Sequence, residues 1–364
     1  MVENSHGTIV LMVGTGKGAF LFTSNDGRRT WKVSEQYFKG CPTFHLQYDS
    51  RNKMFLAAVN NSQWGPTIMR SFDSGKTWEK SKNPPKFPQG TGLSVANIWH
   101  IEPGSDDEPD VLFAGVDPAV LFKSEDKGES WTVNNALLNH ETRKKWTPGF
   151  GGLCLHTILI DPKDPRKMHI AISAVGTMLT EDGGENWRFQ NKNVRVGSQP
   201  AEYPPFGQCV HKIVRHPERP SVLYQQNHFG QYRSDNNGED WVEIKNNLPS
   251  TFGFPIAVDA NNPKRVYISP LEGDFNRVSP GGRFAVWTSD NSGKEWNEQN
   301  NGLPNPPVYF TVLREGMSTD KEDPCGVYIG TTTGQLFYSR NQGKDWNKIT
   351  DQLPPILSVT VSAV

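Results

Sequence analysis

Cysteine is scarce in this chain: Cys41, Cys154, Cys209 and Cys325 are the only four in 364 residues. That density does not make a disulfide scaffold, and no two of them form the CxxC pair that builds structural zinc sites. A cytoplasmic location is the expectation. An excess of either charge is missing too, with 38 basic against 39 acidic residues. No general field therefore recruits nucleic acid or an anionic membrane, and neither is expected as a partner. Long apolar runs are lacking. The N-terminal run Thr8 to Val13 has no basic flank and no small-residue cleavage site, and it is too short to span a bilayer, so it reads as a strand. P-loop, dinucleotide fingerprint, HExxH helix and GxSxG elbow are all absent, and nucleotide cofactors are not indicated.

Turn formers and tryptophan are abundant. Eleven Trp, 34 Gly and 27 Pro describe many short strands joined by many turns, an all-β composition. One octapeptide recurs seven times, as SNDGRRTW, SFDSGKTW, SEDKGESW, TEDGGENW, SDNNGEDW, SDNSGKEW and SRNQGKDW. The copies close on Trp31, Trp78, Trp131, Trp187, Trp241, Trp296 and Trp346. Their spacing runs from 47 residues (Trp31 to Trp78) to 56 (Trp131 to Trp187), the length of one four-stranded blade.

The octapeptide resembles the Asp-box, or bacterial neuraminidase, repeat S-x-D-x-G-x-x-W. Sialidases, sortilin-type receptors, some xyloglucanases and a photosystem assembly factor share it, and the resemblance spans the chain. Physically, the Asp or Asn caps backbone N–H groups of a tight hairpin, the Gly takes positive φ and the Trp packs into the blade. The first copy departs from the pattern: Arg28 stands where Gly is expected and Gly27 comes one place early, which leaves room for a different turn. The resemblance implies that each box joins a blade's third and fourth strands. Inner strands are then expected to begin near His45, His100, His156, His211, Phe254, Phe310 and Ser358. The C-terminal segment Ile356 to Val364 is a strand without a blade, and the N-terminal blade lacks an inner strand. The expected fold is therefore one seven-bladed β-propeller domain over residues 1–364, closed by the C-terminal strand completing the N-terminal blade. Sialidase domains have six blades. No F/Y-R-I-P segment is present here, and no convincing trio of arginines, so the repeat alone does not make the chain a sialidase.

The segments CPTFHLQYD, VANIWHIEP, GLCLHTILIDP and GQCVHKIVRHP align His45, His100, His156 and His211 at one repeated position. Equivalent inner-strand positions form a ring around the channel. For any one of these histidines, local hydrogen bonding is the simpler explanation; four at one register point to a divalent transition metal, whether zinc, iron, manganese or copper. Cys154 and Cys209 each precede a ring histidine by two residues and share its strand face, although small buried packing residues fit there as well. His169 reads as structural.

The turns between second and third strands lie at the same end as the histidines. They supply candidate acids and bases in Asp117, His228, Glu272 and Asp274, with Glu141 and Glu202 on longer loops. Trp99, Trp146, Phe150, Tyr203 and Phe206, with Phe254 and Phe310 of the ring, are candidate substrate-binding walls. The leading functional expectation is a metal-dependent enzyme, a hydrolase or lyase before an oxygenase, acting on a sugar or aromatic small molecule at a histidine-lined channel mouth. Two alternatives stand beside it: a metal-free Asp-box glycoside hydrolase with two carboxyl groups across a cleft, and a non-catalytic binding or assembly propeller.

Overall fold

The computed structural model describes residues 7–197 and 200–364. They form seven four-stranded antiparallel sheets arranged as the blades of a closed propeller. Blade two shows the pattern: Thr43–Asp49, Met54–Asn61, Gly65–Ser71 and Glu79–Lys80, running from the channel outwards. The second strand, MFLAAVNN, is almost wholly buried because sheets pack on both of its faces. The fourth is two exposed residues long. Blade one joins the ends of the chain. Ile356–Ala363 is its inner strand and pairs antiparallel with Ile9–Thr15, followed by Gly18–Ser24 and Lys32–Val33. The expected ring closure is thus observed. Among the described residues no helix is long and apolar enough to cross a membrane.

Each octapeptide links a third to a fourth strand. In blade three, Ser124 Oγ bonds Asp126 at 2.8 Å and accepts from Gly128 N at 2.8 Å, while Asp126 Oδ1 accepts from Ser130 N at 2.9 Å. Two consecutive residues take positive φ in this turn, Lys127 at 58° and Gly128 at 81°. The first copy keeps that geometry with its residues exchanged, Gly27 at 69° and Arg28 at 65°. Arg28 tolerates the left-handed conformation there because its guanidinium reaches blade seven. It bonds Asp320 Oδ2 at 3.0 Å and the Pro324 carbonyl at 3.1 Å, and is almost fully buried.

The inner strands carry a feature that repeat alignment does not register. Each of blades two to five breaks its pairing near the strand's start, between Thr43 and His45, Ile98 and His100, Leu155 and Thr157, and Val210 and Lys212. A bulge moves one residue out of register and so changes the face that the following side chains occupy. His156 and His211 are themselves the bulged residues. In blades two and three that position belongs to Phe44 and Trp99, and His45 and His100 sit one place later, opposite Ala58 and Gly115. The four histidines therefore occupy two structural positions. Blade seven differs further. Its inner strand is only Met317–Thr319, and Phe310 lies in an irregular segment ahead of it, packed edge-on against Phe284 at 5.2 Å. The apolar run VYFTVL, expected to hold the start of an inner strand at Phe310, follows three prolines at 304, 306 and 307 and forms no strand. Glu315 faces blade one instead, bridging to Ser358.

Candidate functional site

A cavity of about 340 Å3 opens at the channel end where the inner strands begin. The bulged residues Phe44, Trp99, His211, Phe254 and Leu357 contribute to its wall. His228 and Phe229, from the turn after Arg219–Asn227, and Arg277, from the long connection in blade six, supply another side. Cys209, Arg314 and Glu315 also line it. Sequence reasoning passed over Phe44, Arg277, Arg314 and Glu315. The signal for the last two was an adjacent charged pair, Arg-Glu, inside the otherwise apolar run VYFTVLREG.

Two groups of side chains in this region have the composition and spacing to hold a metal ion: Cys209 with His211 and His228, and His45 with His100 and Glu315. Three of the four ring histidines are divided between them, and His156 joins neither. Its Nε2–H donates to the Val210 carbonyl at 3.0 Å and its Nδ1 meets Thr157 Oγ1 at 3.0 Å, so both nitrogens are used. It is fully buried, and burial, reinforced by the Arg314 charge, holds it neutral far below the ordinary imidazole range.

In the first group, His211 Nδ1–H donates to the Gly253 carbonyl at 2.5 Å, leaving the Nε2 lone pair 3.7 Å from Cys209 Sγ. His228 lies with its ring centroid 5.5 Å from that of His211, and its Nε2 is 3.5 Å from Asp274 Oδ2. Both imidazoles are thus oriented through one nitrogen by a backbone or carboxylate oxygen, the arrangement that fixes metal-ligating histidines. Burial pushes His228 below its usual range and Asp274 partly counters it. Burial pushes the Cys209 thiol up while the Arg314 charge draws it down.

The second group lies at the channel's centre, where all three members are buried. Lys212 Nζ bonds Glu315 Oε2 at 2.8 Å. Burial opposes ionisation of Glu315, but the Lys212 ammonium together with His100 and His45 outweighs it and draws the carboxyl down to about 2. Glu315 Oε1 and His100 Nδ1 have no partner. His45 Nδ1 accepts from Ile101 N at 3.3 Å, which puts its proton on Nε2. An ammonium already neutralising the only carboxylate and a protonated Nε2 make this group a poor cation site beside the first.

The other sequence candidates disperse. Asp117 is half-buried, its carboxyl raised by burial and opposed by the Leu153 N–H, and it sits against Gly152. It pins the loop that carries Phe150. Asp274 backs His228, whereas Glu272 is exposed, bonded to Asn276 and accepting from Gly281 N at 3.0 Å. Trp99, Phe150 and Phe254 line the cavity. Trp146 is buried away from it, donating to Thr142 Oγ1 at 2.9 Å, and Phe206 stacks on Phe189 at 5.1 Å. Tyr203 is exposed on an outer loop. His169 is structural: its Nε2–H donates to the Asn237 carbonyl at 2.9 Å and its Nδ1 accepts from Arg215 at 2.7 Å.

Fold and site together define a closed seven-bladed β-propeller with Asp-box turns and a ligand-sized cavity at one mouth. No protein-family model matches the chain, and no curated protein matches its sequence. Among solved structures it is similar to a GH74 enzyme of Niastella koreensis, with a TM-score of 0.61 and 17% identity over 93% of this chain and 52% of that one. An ancestral GH74 enzyme gives 0.61 and 15% over 85% and 38%. YCF48 bound to D1 peptide gives 0.53 and 15% over 96% and 95%. The chain spans about half the length of the first of these enzymes and less of the second. At such identities the likeness shows the fold, which GH74 enzymes and a peptide-bound protein share.

Proposed function

We propose that this protein is a metal-dependent enzyme, a hydrolase or lyase, acting on a small molecule held in the cavity, with Cys209, His211 and His228 as the metal ligands. One observation carries the reading: a thiol sulfur and an imidazole nitrogen stand 3.7 Å apart with the imidazole anchored through its other nitrogen. Ligands on tetrahedral zinc, at about 2.3 Å for sulfur and 2.0–2.1 Å for nitrogen, come about 3.5 Å apart. One thiolate and two imidazoles favour zinc or copper over manganese. An ion with three protein ligands keeps a position open, and it supplies Lewis acidity to a substrate oxygen or a water. The chain's own contribution is orientation: Gly253 and Asp274 hold the two rings, and the aromatic wall shields them from water.

A metal-free glycoside hydrolase has less support, because the acids around the cavity are committed: Glu315 to Lys212, Asp274 to His228, Glu272 to Asn276. A binding propeller is favoured by one feature, the pair Phe150 and Phe275, 80% and 87% exposed and in edge contact at 5.9 Å beside the mouth. The deciding experiment is metal content by plasma mass spectrometry on untagged protein purified without added metal. Near one equivalent of zinc or copper is expected, lost in His211→Ala and His228→Ala and kept in His156→Ala. Wild-type protein that stays metal-free after reconstitution defeats the metal-dependent reading and leaves the metal-free hydrolase and the binding propeller.

A further inference from the structure

The polar equipment of the cavity is lopsided. Arg277 and Arg314 both face it, and among the described residues neither forms an ion pair. Arg277 spends Nε on the Asp274 carbonyl at 2.9 Å; Arg314 spends Nη1 on Cys154 Sγ at 3.2 Å and Ser173 Oγ at 3.1 Å. Each guanidinium lies over a ring of the wall, Arg277 over Phe254 and Arg314 over Trp99, both 5.3 Å from the centroid. Stacking of this kind holds the planar fork in place and leaves its remaining N–H edges free to meet an oxyanion. The neighbouring carboxylates are turned to other partners, Glu315 to Lys212 and Asp274 to His228. Two cations against an apolar wall, neither in ion-pair contact with a carboxylate among the described residues, define a site completed by an anionic ligand.

The rest of the wall specifies what that ligand carries. Phe44, Trp99, Phe252 and Phe254 enclose a volume of about 340 Å3, at the small end of ligand pockets and suited to one compact ring system. We propose that the cavity binds a small aromatic monocarboxylate, its ring among these four side chains and its carboxylate on Arg277 and Arg314, beside the Cys209, His211 and His228 group. That this ligand is a substrate rests on the metal-dependent activity proposed above; that it binds does not.

Phenylacetate, its neutral analogue phenylacetamide and inorganic phosphate serve as probes, titrated by calorimetry into metal-stripped and zinc-reconstituted full-length protein. Phenylacetate is expected to bind at least tenfold more tightly than phenylacetamide in both forms, and more tightly than phosphate. Arg314→Gln and Arg277→Gln each reduce the acid's affinity at least tenfold and leave the amide's within about twofold. The wild-type comparison of acid with amide requires no variant and stands even if a variant fails to fold. Equal affinity for acid and amide, tighter binding of phosphate, or no phenylacetate binding at millimolar concentration overturns the assignment. A clear preference for the acid in a protein that takes up no metal removes the metal centre and keeps this ligand. Stoichiometric metal without a preference for the acid does the reverse.

Discussion

Histidine carries most of the information in this sequence, and neighbouring atoms decide what each one does. His156 and His211 occupy the same bulged position on adjacent blades, yet one has both nitrogens bonded within the fold and the other keeps Nε2 free beside a thiol. The segments CLHT and CVHK differ in the residue after the histidine, and Thr157 there engages one nitrogen of His156; the other partners are carbonyls on the following blade, which the segments do not show. The sequence did bring out Cys209, His211 and His228 as residues of interest; it could not show that they meet, since a turn supplies the third. His169 offers the cleanest test of burial. Desolvation, with Arg215 adding to it, draws its pKa down to about 3. The unfolded chain binds a proton there near pH 6.5 and the folded chain refuses it until about pH 3, so stability is present above 6.5 and falls as the pH drops through that window. Urea midpoints measured from pH 7 to 4 should show His169→Gln losing less stability than wild type, by about 1.4 kcal/mol per pH unit where one proton is at stake. Equal slopes for the two proteins would show that His169 does not resist protonation.

At the level of strands and turns, legibility was uneven for a physical reason. The boxes, second strands and closing strand were readable because each is a local pattern: turn chemistry at fixed offsets, or an apolar run of strand length. Bulges are not local. They arise from how an inner strand meets its neighbours, and one unpaired residue turns an apparent ring of four histidines into two separate positions. Phe310 was misplaced for a related reason, since its place in the repeat marks where an inner strand is due without saying whether that segment pairs. Arg28 is the opposite case, an irregularity visible in the sequence whose use only the fold reveals. Arg28→Gly restores the repeat consensus and relieves a left-handed φ, yet it removes the buried partner of Asp320, which still accepts from Gly326 N and Tyr328 at 2.7 Å each. The loss of the ion pair should dominate. A destabilisation of about 3 kcal/mol is expected from denaturant unfolding, and a variant at least as stable as wild type would mean that the contact between blades one and seven contributes nothing.

For the molecule as a whole, the ring has one seam and the C-terminal strand seals it. Ile9–Thr15 is buried along its entire length, and it gains one of its two partners from Ile356–Ala363. Deleting residues 355–364 exposes that partner edge together with Leu11, Met12 and Val13, an open invitation to intermolecular pairing. Size-exclusion chromatography should find the truncated chain aggregated or insoluble. A soluble monomer with an unchanged unfolding midpoint would show that closure is dispensable. Charged and polar side chains from several blades meet inside this ring. Glu315 enters from blade seven and meets Lys212 from blade five, with His45 and His100 of blades two and three gathered at the same carboxylate. A molecule that reaches the cavity past Phe150 and Phe275 finds in its wall a carboxylate held in common by side chains of blades two, three, five and seven, so the joinery of the ring and the lining of the pocket are the same timber.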